Sequence, residues 1–309
     1  MIAVFGPTAV GKSRVAVMVA ERLAGEIVSV DSMQVYRGLP LLTDQPSPEL
    51  QARIKHHLIA TVPLAEEYSA ALYVREARKA LADIQRRGRL PLVVGGTGLY
   101  LQALMGGFSF AGRADEGTRA KWERFLREEG REAAYGELLR LDARAAALVD
   151  RENPRRLVRA LEAAESRGAS IAAERERLWS GPESIAGGIV ITGLERQRGE
   201  LYAAIDSRVD GMLATGAIDE VREARRGPVS RTAARSIGFS ELSEFLDGRL
   251  SLEAAAAAIK QRSRRYAKRQ LTWMRKMPDI ARIDLSGSST RAAAQTIIEL
   301  FESLGMNGR

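Results

Sequence analysis

The sequence predicts an α/β protein: a parallel sheet flanked by helices, interrupted by an all-helical insertion. Three observations predict it. Short apolar runs alternate with helical stretches over residues 1–107, the pattern of a parallel sheet covered by helices. Strand signal disappears from about residue 111 to 187 and returns at 188–193. The first apolar run leads straight into a glycine-rich turn and then a helix, at Gly6-Pro7-Thr8-Ala9-Val10-Gly11-Lys12-Ser13. The expected organisation is a first part of the core over 1–109, a helical insertion over 110–187, and the second part of the core over 188–309, which carries a basic helix.

Each element has its own signal. Residues 2–5 read as a short buried strand and 14–23 as a helix. Residues 26–30 form a candidate strand that ends at Asp31, and 57–59 a weaker one. Residues 73–86 look helical, and 90–94 form an apolar run closed by Gly95-Gly96. Inside the insertion, Trp122, Phe125 and Leu126, then Tyr135, Leu138 and Leu139, recur at helical spacing. Asn153-Pro154 is a helix start, with Asn as the cap and Pro in the first turn. Residues 198–277 read as a long helical region with a small Gly-containing turn at 235–239, 280–284 as a last strand and 291–304 as a closing helix.

Composition narrows the function. The 309 residues are 45% hydrophobic, and no apolar run approaches a membrane span. The first residues enter a core strand at once, which reads against a signal peptide. There is no cysteine, which excludes disulfides, thiolate metal sites and a thiol nucleophile, and which is expected of a cytoplasmic protein. A net charge of +8 favours a polyanionic partner. An arginine-rich solvated surface gives the same balance, so local clustering has to decide.

The segment 6–13 fits G-x-x-x-x-G-K-[ST], a phosphate-binding loop. Its glycines let the backbone curl so that N–H groups face an anion, and the helix N-terminus adds partial positive charge. Lys12 can place an ammonium on the outer phosphates, and Ser13 can ligate Mg²⁺, partly through water. Asp31 follows a candidate strand and should share a crevice with this loop, because ligands in open α/β sheets bind beyond the carboxyl ends of the strands. A carboxylate there can hold a metal through water or act as a general base. Gly95-Gly96-Thr97-Gly98 also follows a strand and presents one hydroxyl on a loop that allows close backbone approach.

Two basic clusters stand out. Arg155, Arg156 and Arg159 share a helix face, while Leu157, Val158 and Leu161 can pack on the other. Between residues 254 and 278, eight Lys and Arg occur with no acidic residue, and Tyr266, Gln270 and Trp273 are interleaved. Such a stretch can neutralise several phosphates. His56-His57 has no third partner at ligand spacing and reads as structural.

Taken together, these residues resemble the tRNA dimethylallyltransferases, also called tRNA isopentenyltransferases. The match runs in order through GPTAVGKS, DSMQVYRGL, HHLI, LVVGGTGLYLQAL, NPRRLVRALE, RVDGMLATGAIDEV, RSIGFSEL and RRYAKRQLTWMRK. Two positions depart from the family pattern: Lys55 stands where Pro is usual, and Ala60 where Asp is usual. The cysteine-free chain is similar to the bacterial form. The resemblance implies a P-loop NTPase-like fold and transfer of a dimethylallyl group from dimethylallyl diphosphate to N6 of the adenine 3′ of the anticodon, tRNA position 37. It implies that Asp31 is the base, that Thr97 assists at the reacting centre and that Arg235 lies near the diphosphate. It sets Asp31, Ser32, Met33 and Gln34, together with Arg119, Arg155, Arg156, Leu157, Val158 and Arg159, against the RNA. The expected cofactor is Mg²⁺. The expected partners are the tRNA anticodon stem-loop and the prenyl donor, with no membrane, and the protein is expected to act as a monomer. The competing readings are an isopentenyltransferase acting on free AMP, a small-molecule kinase, and an RNA-binding protein with a degenerate phosphate loop.

Overall fold

A computed structural model of the chain describes residues 1–106, 116–165, 188–277 and 279–305. It divides into two compact units, Met1–Leu104 with Ser184–Arg309, and Met105–Glu183. The insertion boundary predicted at 109/110 lies outside the described residues, as does all of the stretch from 166 to 187.

The larger unit is built on one six-stranded parallel sheet, ordered β3-β2-β4-β1-β5-β6. Its strands are β1 (Ile2–Phe5), β2 (Gly25–Val30), β3 (His56–His57), β4 (Leu90–Gly95), β5 (Val190–Glu195) and β6 (Ala281–Asp284). β1 lies between β4 and β5, with Ile2 opposite both Leu92 and Val190. All four of its residues are buried, which is why the segment reads as an unbroken apolar run with no alternation. β3 is shorter than the 57–59 segment suggests and begins earlier, at His56. Leu58 and Ala60 then take positive φ, which ends strand geometry.

Helices α1 (Lys12–Arg22), α2 (Pro48–Arg53), α3 (Ala70–Arg86) and α4 (Gly98–Met105) connect the first strands. The helical region over 198–277 is divided, at the expected turn near 235–239 and at further points: α9 (Arg198–Thr215), α10 (Ala217–Ala224), a 3₁₀ turn (Ala233–Arg235), α11 (Phe239–Leu246) and α12 (Leu252–Lys276). Glycines cause two of the breaks. Gly216 has φ 121° and Gly238 has φ 102°, conformations that side-chain-bearing residues resist. α13 (Thr290–Ser303) closes the unit.

Two cores among the described residues hold this unit together. One joins the sheet to α1, α9 and α13 through Val15, Val19, Ile205, Ile297 and Phe301. The other gathers Leu39, Leu42, Val209, Phe239, Leu242 and Ile259, and so fixes the chain after Asp31 to helices nearly 200 residues away in sequence. The smaller unit contains α5 (Glu116–Glu128), α6 (Gly130–Leu141), α7 (Ala143–Leu148) and α8 (Pro154–Glu165). They pack around Trp122, Leu138, Leu157 and Leu161. Asp142 caps α7 by accepting from the Ala145 N–H at 2.9 Å, and the Asn153 side chain accepts from Arg156 N–H at 3.3 Å.

Candidate active site

The site lies beyond the carboxyl ends of β1, β2 and β4, on either side of the place where the strand order reverses. A cavity of about 660 Å³ opens there. Residues Thr8 to Arg14, Asp31, Gln34, Asp44, Arg196, Gln270 and Thr290 contribute to its walls. It therefore brings together the phosphate loop and Asp31.

The loop curls for three separate reasons. Gly11 has φ 105° and starts α1. Gly6 is needed for a close approach, since a Cβ there would stand 2.7 Å from the Leu194 carbonyl oxygen. The remaining positive φ, 63°, falls on Ala9 and not on a glycine. Lys12 folds back, its Nζ donating to the Pro7 carbonyl at 2.7 Å. Burial lowers its pKa to about 8, against the opposing pull of Asp31 and Asp44. Ser13 lies one residue further along the same wall.

Asp31 sits at the end of β2. Its Oδ1 accepts from the Met33 N–H at 2.8 Å and the Gln34 N–H at 3.3 Å, which pins the turn. Its Oδ2 accepts no hydrogen bond among the described residues. Burial raises the Asp31 pKa, and the hydrogen bond from Met33 and the charge of Lys12 offset part of that rise. A desolvated carboxylate with one oxygen committed and one open is equipped to take a proton. Thr97 Oγ1 accepts from the Ser32 N–H at 3.1 Å, so the loop after β4 is tied to the turn after β2. Gln34 is held by Ser29 Oγ at 3.0 Å and donates to the Asp44 carbonyl at 2.6 Å.

Arg235 stands apart from this cavity. It is exposed on the 3₁₀ turn, and its side chain has no hydrogen bond or ion pair among the described residues. The arginine that reaches the phosphate loop is Arg208, on α9. Its Nη1 donates to Thr8 Oγ1 and to Asp44 Oδ2, both at 2.8 Å. Arg208 opens the RVDGMLATGAIDEV segment, but nothing in the local spacing there points to the phosphate loop. Gln270 was likewise noticed only as an interruption of a basic stretch. Its signal was periodicity: Ser263, Ala267, Gln270 and Met274 form the buried stripe of α12, and an amide on such a stripe requires partners. Tyr266, one turn earlier, stands beside Thr97, Gln270 and Asp31, and burial pushes its pKa up.

The basic stretch on α12 is partly neutralised by other helices. Lys260 pairs with Asp210 at 2.6 Å, Arg262 with Glu241 at 2.5 Å, and Arg264 with Asp206. Sequence distance hid those acids. Arg265, Lys268, Arg269, Arg275 and Lys276 remain exposed.

In the smaller unit Arg155, Arg156 and Arg159 are exposed on α8. Leu157 and Val158, grouped with them by resemblance, are 0% and 5% exposed and pack the helix onto the core of this unit. Arg119 pairs with Glu123 at 3.0 Å and lies 3.8 Å from Glu162.

Known proteins resemble the chain over most of its length. The model of the IPP transferase family matches residues 34–277. The chain belongs to the IPP transferase family. A tRNA dimethylallyltransferase of Halalkalibacterium halodurans is 39% identical over 288 residues, spanning 93% of this chain and 91% of the relative. One from Thermomicrobium roseum is 40% identical over 289 residues, with 93% and 86% covered. Among solved structures, this family member is similar to the tRNA isopentenylpyrophosphate transferase of Bacillus halodurans, with TM-score 0.72, 37% identity, and 99% and 96% covered. It is also similar to a eukaryotic dimethylallyltransferase acting on tRNA, with TM-score 0.84, 27% identity, and 100% and 80% covered. The likeness accounts for the parallel sheet and the phosphate loop together. No helix among the described residues is long and apolar enough to cross a membrane.

Whether the site suits Mg²⁺ can be judged from its donors. Among the described residues there is no group of three His, Cys, Asp or Glu able to hold a metal. Mg²⁺ in phosphate sites, however, takes most of its ligands from water and from the substrate, with one or two from protein. The Ser13 hydroxyl beside Lys12, with Asp31 and Asp44 lining the same cavity, fits that mode.

Proposed function

We propose that this protein transfers a dimethylallyl group from dimethylallyl diphosphate to N6 of the adenine at tRNA position 37. The observation that carries the reading is the shared cavity: a phosphate loop with a half-buried lysine and a desolvated aspartate with an open oxygen line the same wall. The diphosphate binds the loop amides and Lys12, and Arg208 turns its guanidinium from Thr8 and Asp44 toward the phosphates. In the reaction the donor C1–O bond breaks and its electron pair leaves on diphosphate. The adenine N6–C1 bond forms, and the N6 proton passes to Asp31 Oδ2. An exocyclic adenine amine is a weak nucleophile, so orientation by an acceptor matters as much as proton removal. Cationic groups held in place at the leaving diphosphate stabilise the charge that grows there. When bound through Ser13, Mg²⁺ supplies further neutralisation of that charge.

The target base lies in a single-stranded loop, so its extrusion costs only a few kcal/mol. Arg155, Arg156 and Arg159 supply phosphate contacts to the stem-loop, and Ser32, Met33 and Gln34 lie beside the base. The protein acts as a monomer in this reading, in the cytoplasm where tRNA is found. The test is a prenyl-transfer assay with radiolabelled dimethylallyl diphosphate, Mg²⁺ and unmodified tRNA. Label at position 37 is expected. Label in free AMP alone, or consumption of ATP without label transfer, would overturn the reading.

A further inference from the structure

Gln270 makes two hydrogen bonds with its one amide. Oε1 accepts from the Thr8 backbone N–H at 2.8 Å, and Nε2 donates to the Gly96 carbonyl at 3.0 Å. The side chain is 2% exposed and sits in the middle of α12. It therefore joins the phosphate loop to the loop after β4. That second loop is in turn fastened to the end of β2. Gly96 and Thr97 N–H groups donate to the Val30 carbonyl at 3.2 and 3.0 Å, and Thr97 Oγ1 receives the Ser32 N–H. Asp31 lies between the two anchored residues.

The glycines of the loop show how closely the helix is seated. A Cβ on Gly96 would stand 1.9 Å from Gln270 Nε2, and one on Gly98 would stand 2.5 Å from the Trp273 ring. The loop is glycine-rich because α12 presses on it.

We propose that Gln270 is a positioning residue that sets the Asp31 turn relative to the phosphate loop, so that donor and base are held in one frame. The chain of contacts is Thr8–Gln270–Gly96–Thr97–Ser32–Asp31. The proposal rests on the prenyl-transfer reading for its kinetic consequence but not for its mechanical one. A small misplacement of reacting groups costs a large factor in rate, which is what such a frame prevents.

The amide is suited to this role because it offers one acceptor and one donor in a fixed geometry. Methionine keeps the volume and loses both bonds. Glutamate keeps both only when protonated, because an ionised carboxylate has no proton for the Gly96 carbonyl. The titratable and charged groups around the position are Asp31, Asp44, Lys12, Arg14, Glu49 and Arg196 across the cavity and Arg208 on the Thr8 hydroxyl, with Tyr266 on its own helix.

The experiment compares wild type, Gln270→Met, Gln270→Glu and Ala267→Gly. Ala267→Gly weakens the same helix while keeping both Gln270 hydrogen bonds. Hydrogen–deuterium exchange is read by mass spectrometry on peptides covering residues 29–36, which need no activity. In Gln270→Met we expect faster exchange there, kcat at least tenfold lower, and tRNA affinity within threefold. Ala267→Gly should leave both exchange at 29–36 and kcat within twofold. For Gln270→Glu, activity relative to wild type at the same pH should rise as pH falls from 8 to 6. Unchanged exchange at 29–36 in Gln270→Met would overturn the proposal, as would an equal kcat loss in Ala267→Gly or a pH-independent Gln270→Glu ratio. Failure of wild type to prenylate tRNA would count against the function and leave the exchange result to decide this point.

Discussion

The Arg208 guanidinium meets the Thr8 hydroxyl at 2.8 Å, joining α9 to the phosphate loop across 200 residues of sequence. The same nitrogen holds Asp44. Arg235, the arginine that motif comparison favoured, has no such contact. Arg208→Ala should therefore lower kcat/KM for the prenyl donor by about 10²-fold, the usual cost of removing one prearranged donor to a developing anion. Arg235→Ala should change it by less than about threefold. Steady-state kinetics with donor varied at saturating tRNA would separate them, and a reversed order would return the diphosphate role to Arg235.

Asp31 carries opposite consequences for rate and stability. Its pKa is raised by burial, so the folded state binds a proton more readily than the unfolded chain does. A raised carboxylate pKa disfavours the folded state above that pKa, and the penalty fades as pH falls toward the unfolded value. Asn at this position removes the buried charge and can still accept from Met33 and Gln34. Asp31→Asn should raise Tm at pH 7 and reduce turnover by about 10²-fold or more. In wild type, kcat should fall as pH drops through the raised pKa. A variant that loses stability together with activity would mean that Asp31 is chiefly a structural anchor.

Lys12 titrates in the accessible range. Its folded pKa of about 8 lies below the ordinary lysine value because of burial. The empty site therefore loses its ammonium as pH rises through about 8, and affinity for a diphosphate should weaken over pH 7–10. Titration calorimetry with inorganic diphosphate, comparing wild type with Lys12→Met, cancels the ionisation of the ligand. The difference in affinity should shrink as pH increases. A constant difference would show that Lys12 acts through packing against Pro7 and not through charge.

Much of this site was legible in the sequence, because its chemistry is carried by short segments. Strand, loop and helix around Lys12 are contiguous, and so are β2 and Asp31. Adjacency of that kind leaves a pattern in a window of ten residues. Arg208, Asp44 and Gln270 act through contacts 164 to 262 positions away, and no local pattern names those partners, although the buried stripe of α12 marks Gln270 as an amide that needs some. The same reason explains the basic helix, whose charges looked unopposed until Asp206, Asp210 and Glu241 arrived from other helices. The turn at Gly238 is legible as a glycine interrupting a helical region, whereas the break at Gly216 is outweighed by the helical periodicity around it.

The last prediction concerns α8, where sequence neighbours have opposite duties. Arg155, Arg156 and Arg159 are exposed, while Leu157 and Val158 fill the core beside Trp122. Reversing the three arginines to glutamate should leave the helical signal and Tm nearly unchanged, since exposed charges contribute little to stability. It should weaken tRNA binding and flatten the dependence of log affinity on log salt by about 2, from roughly 0.7–0.9 for each lost phosphate contact. Leu157→Ala should do the reverse, costing about 2–5 kcal/mol of stability through the cavity it opens. Its tRNA salt slope should stay near wild type at temperatures where the unit remains folded. Filter binding between 50 and 300 mM salt would measure both, on the order of the range where such slopes are resolved. If the arginine reversals leave the slope untouched, this face is ordinary surface and the RNA contacts must come from elsewhere, with the exposed Arg265, Lys268 and Arg269 of α12 the next residues to reverse.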